Sequence, residues 1–150
     1  MHLSIPKAFL PLIAVASAAA ASLPVRAADK RPPRADSYLE RAADIAVSQP
    51  GPHEGEGRTT AYPFFDQAQG FDIVFRQRSL HRGATIGEHR NDKDEIYYIL
   101  SGRGELTLDG QRREVTGGDA ILTRSGSRHG LRQLGDEDLT LIVVYRKPAP

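Results

Sequence analysis

The chain has 150 residues, enough for one domain, and carries 20 Lys and Arg against 19 Asp and Glu for a formal charge of +1. It contains no cysteine, which excludes disulfides and thiolate metal centres. Basic and acidic residues are interleaved rather than massed, which argues against a nucleic-acid partner.

The first stretch has the pattern of an export signal. Lys7 precedes an apolar run from Ala8 to Ala21, broken by Pro11 and Ser17. That run is about 14 residues, short of the roughly 20 that span a bilayer as a helix. Val25-Arg26-Ala27 then offers modest side chains at the −3 and −1 positions of a cleavage site after Ala27. The expectation is a signal peptide over 1–27, a periplasmic or extracellular product, and no stable membrane anchor after cleavage. Removing 1–27 takes away Lys7 and Arg26 and no acid, so the charge of +1 becomes −1.

Residues 28–61 read as a leader, a short helix and a loop. Pro32 and Pro33 mark the leader. Ser37 and Glu40 have capping-box spacing and predict a helix over 37–48, with Leu39, Ala43 and Ala46 on one face and Pro50 ending it. Gly51, Gly55 and Gly57 with Pro50 and Pro52 predict a loop over 49–60, in which His53 reads as an ordinary exposed histidine.

From residue 62 to 146 the pattern is that of strands. Phe71, Ile73 and Phe75 alternate with Asp72, Val74 and Arg76. Arg76, Arg78 and Arg82 read as a solvated strand face. Ile96–Leu100 is a continuous apolar run suited to a strand buried on both faces, although Ile96, Tyr98 and Leu100 would share an apolar outer side fit for a second layer or a subunit contact. Asp109-Gly110 between 105–108 and 112–115 predicts a hairpin with a type I′ turn. Ala120–Thr123 and Leu139–Tyr145 are further strands. Many short strands separated by glycine turns, without helical periodicity over 71–145, predict an all-β sandwich or closed barrel.

Two segments carry the residues suited to chemistry. His89 and Asn91 are two apart and share one side of a strand, and Glu95 follows after a short turn. His129 lies on a later strand, after Gly118, Arg124 and Gly126. Tyr97 shares parity with Glu95 and is expected to line the interior. Asp92 and Asp94 fall in the turn between Asn91 and Glu95 and are poor substitutes as ligands.

This spacing resembles the two motifs of the cupin superfamily. Gly83, His89, Glu95 and Gly102 fit the first motif, with Asn91 where the family usually has a second histidine. Gly118, Gly126 and His129 fit the second, with Arg124 and Gln133 in place of its proline and asparagine. The resemblance implies a single cupin barrel (jelly-roll, or double-stranded β-helix) with a short N-terminal helix. It implies His89, Glu95 and His129 as ligands of a divalent metal (Fe, Mn, Zn or Ni), with Asn91 as a fourth ligand or a polar group of the pocket. It also implies a small-molecule ligand or substrate and a homodimer. Two histidines and a carboxylate leave coordination positions open, as catalysis requires. An amide oxygen is a weaker ligand than imidazole, so a non-catalytic small-ligand-binding cupin with a degenerate metal site stands as the alternative.

Overall fold

The computed structural model describes residues 37–148. One helix and ten strands follow in order: α1 (Ala42–Ile45), β1 (Val47–Pro50), β2 (Arg58–Phe64), β3 (Ile73–Leu80), β4 (Thr85–Arg90), β5 (Glu95–Ser101), β6 (Arg103–Leu108), β7 (Gln111–Thr116), β8 (Ala120–Thr123), β9 (Arg128–Leu134) and β10 (Leu139–Arg146). They form a six-stranded sheet, β1-β2-β3-β10-β5-β8, and a four-stranded sheet, β4-β9-β6-β7, every pairing antiparallel. Side chains from both sheets meet in one core that includes Leu80, Ile99, Leu106, Leu131, Leu139 and Leu141. The expected all-β cupin-like barrel with a short helix is the observed fold. The signal and leader expected over 1–27 and 28–35 lie outside the described residues.

The strands expected at 120–123 and 139–145 form as β8 and β10. The β6–β7 hairpin turns on Asp109 and Gly110, both with positive φ (48° and 79°), as a type I′ turn requires. The Asp109 carboxylate also accepts from the Arg128 backbone N–H, which ties this turn to the start of β9.

Three expectations need correction. The helix over 37–48 is a single turn, because Glu40 does not close a capping box. Its carboxylate instead accepts from the Phe65 backbone N–H at 2.7 Å. The helix cap carries no side-chain hydrogen bond, and Leu39, expected on the packed face, is 81% exposed. The loop over 49–60 is narrower. Pro50 is the last residue of β1 rather than a helix stop, and β2 already begins at Arg58. Both strands join the large sheet, which therefore starts ahead of residue 62. Finally, β5 is buried on one face only. Glu95, Tyr97 and Ile99 point in, while Ile96, Tyr98 and Leu100 are each 45% exposed.

The outer face of the large sheet carries an apolar row. Phe75, Val144, Ile96 and Leu122 are directly paired across β3, β10, β5 and β8. Phe75, Ile96 and Leu122 are exposed there.

The loop between β1 and β2 is pinned against β4. Gly87 donates its N–H to the Pro52 carbonyl, and a Cβ on Gly87 would overlap the His53 carbonyl oxygen. We expect Gly87→Ala to cost about 1–3 kcal/mol, as overpacking does, through displacement of this loop. A lowered thermal midpoint would show it, and an unchanged midpoint would contradict the close approach.

Candidate metal centre and its cavity

His89 and His129 face each other because β4 and β9 pair them in register. In strict alternation His89 would lie on the side opposite Ile86, which is buried. The pairing slips between them: Ile86 opposes Leu131, and His89 opposes His129, so three steps on β4 match two on β9. This one-residue bulge at Gly87 and Glu88 re-aims His89 inward. Glu95 arrives from the other sheet as the first residue of β5. The site thus spans the two layers.

One ligating atom from each of His89, Glu95 and His129 lies within 4.8 Å of the others. That spread is slightly wider than the roughly 3–4 Å between neighbouring ligands that bonds of about 2.1 Å produce. His89 Nδ1 donates to the Gly87 carbonyl at 2.9 Å, which leaves Nε2 with its lone pair. Such a bond fixes the tautomer and orientation of a metal-binding imidazole. His129 is fully buried. Its Nε2 lies 3.0 Å from the Tyr97 hydroxyl and 3.3 Å from Glu95 Oε2, and its Nδ1 has no partner among the described residues. The donor set, two imidazoles and a carboxylate, fits a divalent transition ion.

Asn91 is buried beside the triad, with its backbone hydrogen-bonded to Ser127 and Gly126. Its amide Nδ2 donates to Glu95 Oε2 at 3.3 Å, so here it orients the carboxylate. Burial works against ionisation of Glu95, but the His129 contact and the bonds from Asn91 and Tyr97 outweigh it and hold the carboxyl below its usual pKa. Burial is also the main cause lowering the His89 pKa, which favours the neutral imidazole that a metal needs. Tyr97 is buried, and its hydroxyl is pushed well above its ordinary pKa by burial first and by Glu95 second.

Asp92 and Asp94 lie away from the triad. Asp92 pairs with Lys93, and Asp94 accepts from the Ser125 N–H and pairs with Arg124. Gln133, at the place of the second motif's asparagine, is structural. Its amide donates to three carbonyls around the β9–β10 turn and accepts from the Gly83 N–H.

Two readings from sequence change here. His53 is not an ordinary surface histidine, because its ring stacks on His89 with centroids 3.4 Å apart and planes 7° from parallel. His53 and Glu54 both hold positive φ (54° and 60°), a strained pair of non-glycine residues of the kind that accumulates at functional sites. Nor is the arginine cluster a solvated face. Arg82 is exposed and pairs with Asp136, but Arg78 is only 4% exposed and Arg76 is half-buried. The inner face of β3 runs through Val74, Arg76, Arg78 and Leu80, and Phe75 is the outward residue. The apolar alternation at 71, 73 and 75 belongs to the outer side.

These arginines line a cavity of about 90 Å³ that also touches His53, Glu95, Tyr97 and Tyr145. A larger cleft, about 270 Å³, lies on the β4–β9–β6 side and includes no member of the triad. Both of its lining arginines are paired with acids of the same walls, Arg132 with Glu56 and Arg112 with Glu105, so size does not identify the site.

Known proteins share this architecture. Residues 77–145 match the family model described as Cupin domain. The chain is 33% identical over 72 residues to the oxalate-binding protein of Thermotoga maritima, a stretch covering 47% of this chain and 60% of that protein. Among solved structures, a predicted oxalate decarboxylase of Thermotoga maritima superposes with a TM-score of 0.66 at 24% identity, covering 74% of this chain and all of that one. The polyketide cyclase RemF of Streptomyces resistomycificus superposes with a TM-score of 0.64 at 25% identity, covering 77% and 82%. The family match contains Arg78, His89, Glu95, Tyr97 and His129 and begins just after Arg76, so residues 77–145 are a cupin domain.

Proposed function

We propose that the barrel binds a divalent metal through His89, Glu95 and His129 and takes a small organic molecule into the adjoining cavity. The observation that carries this is the convergence of the three donors from β4, β5 and β9, with the His89 tautomer already fixed by Gly87. A metal held by three side chains supplies Lewis acidity at its open positions. The surrounding residues do the rest: Asn91 orients Glu95, Tyr97 holds His129, and His53 shields the outer face of His89. The names of the relatives, an oxalate-binding protein and a polyketide cyclase, fit small-molecule work of either a binding or a catalytic kind. Metal analysis of protein purified without chelators tests the reading. Close to one Fe, Mn, Zn or Ni ion per chain is expected, and a chain that neither carries nor takes up these ions would refute it.

The non-catalytic alternative draws support from Asn91, which directs its amide nitrogen, not its oxygen, at Glu95. In that case the cavity would bind its ligand in metal-free protein with no turnover.

The proposal includes export, from the signal pattern over 1–27, which fractionation of expressing cells tests by whether the mature form leaves the cytoplasm. It also includes a second copy of the chain as partner. The in-register row Phe75, Val144, Ile96 and Leu122 offers a self-complementary apolar surface of the kind that isologous interfaces bury. Ile96→Lys is expected to convert a dimer to a monomer in sedimentation velocity with the circular dichroism of the fold intact; a wild-type monomer at all concentrations would count against the pairing.

A further inference from the structure

Arg76 and Arg78 are an unusual pair to find on the inner face of a barrel. Arg78 is 4% exposed. Its guanidinium donates to the Thr59 hydroxyl at 2.8 Å, and the Gln49 amide oxygen accepts from both terminal nitrogens, at 2.7 and 2.8 Å, in the orientation that satisfies that amide. All of these partners are neutral. Among the described residues no carboxylate lies within ion-pair distance of Arg78. Burial first, and the charge of Arg76 second, push its pKa below the ordinary arginine value. Arg76 meets one acid, Asp66, at a long 3.7 Å, and its Nε is buried with no partner. A buried guanidinium without a counter-ion is costly, and a buried donor without an acceptor adds to that cost.

The register places this pair opposite the candidate metal centre. On the inner face of the large sheet, Arg76 on β3, Val143 on β10 and Tyr97 on β5 form one row, and Val74, Tyr145 and Glu95 form the next. Strand spacing of about 4.8 Å puts the Arg76 and Tyr97 backbones about 10 Å apart. The cavity lies between these walls: Arg76 and Arg78 on one side, Glu95 on the other, with Val143 and Tyr145 contributing to its lining. At about 90 Å³, smaller than an apolar cavity of about 150 Å³ that holds benzene, it has room only for a small organic molecule.

We propose that Arg76 and Arg78 form an anion-reading wall of this cavity and that the small molecule it takes is a short organic carboxylate. The inference rests on the cavity's being the binding chamber proposed above and names the chemical class of its ligand. A planar carboxylate matches the forked donors of a guanidinium, supplies the missing counter-charge, and offers an acceptor to Arg76 Nε. The apolar contribution of Val143 and the tyrosine rings suits a short carbon body behind the charged group better than a fully hydrated inorganic anion.

The test is ligand-observed NMR with propionate, its neutral isostere propionamide, and inorganic phosphate, each against metal-loaded and chelator-treated protein. Propionate is expected to bind both forms at least tenfold more tightly than propionamide and more tightly than phosphate. Arg76→Gln should remove that preference, while its circular dichroism and thermal midpoint stay near wild type. Arg78→Lys keeps the charge but loses the fork, and should weaken propionate severalfold; if it does not fold, Arg76→Gln alone decides. Equal binding of propionate and propionamide, phosphate binding as tight as propionate, or a propionate affinity untouched by Arg76→Gln would each overturn the inference. Propionate binding that needs the metal and ignores Arg76 would overturn it while leaving the metal reading standing. Carboxylate binding that depends on Arg76 in a chain that takes up no metal would uphold it and remove the metal reading.

Discussion

His89→Ala and His129→Ala are both expected to lower divalent-metal affinity by more than about 100-fold, the upper end of what loss of a supporting contact costs, yet to differ sharply in stability. His89 is half-buried at the rim, and its removal frees only a ring that stacks on His53 and bonds the Gly87 carbonyl. The metal-free His89→Ala chain should therefore melt close to metal-free wild type. His129 is fully buried between the sheets, with Tyr97 and Glu95 on its Nε2. Its loss leaves the Tyr97 hydroxyl and the Glu95 carboxylate short of partners, at about 1–3 kcal/mol for each buried polar group left unsatisfied, and opens a void besides. Calorimetric metal titration beside thermal melts of the metal-free forms separates the two effects. Retention of metal by either variant would remove that histidine from the ligand set. Equal melting of the two would contradict the structural role of His129.

The contrast between the two histidines shows what was legible from sequence. The identities and spacings of His89, Glu95 and His129, with the glycines around them, were enough to gather the three at one point of a barrel. Glycine turns and short apolar runs likewise marked β6, β7, β8 and β10 to within a residue or two. What could not be read was the side from which each group is held. The bulge at Gly87 and Glu88 that turns His89 inward is a slip in pairing between β4 and β9, and neither strand carries that information alone. The same holds for the arginines. Both faces of β3 carry large residues, and local alternation favoured the phenylalanines as the inner set. The choice was made by the neighbouring strands, whose outward Ile96, Leu122 and Val144 extend the row of Phe75. An arginine two residues from another in a strand that must also cover the core was the available signal, and it was outweighed by the general rarity of buried arginine.

His53 was missed for a related reason. Its loop has the glycines and prolines of a surface connection and is one by exposure, yet Gly55 and Gly87 allow its backbone to lie directly on β4. Close packing of a loop on a strand is visible in sequence only as glycines at both partners, and a glycine serves a tight turn or a bulge just as readily. The helix at 37–48 failed through competition. Glu40 had a better use for its carboxylate at the Phe65 N–H than at its own helix start, and one turn with no fully buried residue has little to sustain it.

Asn91→His should strengthen metal binding by about 10–100-fold, the range over which a single contact near a metal tunes affinity, and it discriminates between the two readings of the site. Asn91 already occupies a buried position with its amide 3.3 Å from Glu95 Oε2, so a ring there would be near the ligand cluster, held by the same backbone bonds to Ser127 and Gly126. An imidazole is a better donor than an amide for Fe, Mn, Ni or Zn. If three side chains suffice for the metal in the native chain, the substitution should tighten an existing affinity while closing one of the open positions, so any turnover should fall as affinity rises. If the native site is degenerate, the same change should create binding where wild type has none, and ligand binding by the cavity should be little altered. Imidazole is bulkier and Glu95 loses an amide donor, so Asn91→Ala serves as the control for that loss alone. It should weaken metal binding through a less constrained Glu95. A histidine variant no tighter than the alanine variant would mean that residue 91 cannot reach the metal and acts only on the carboxylate.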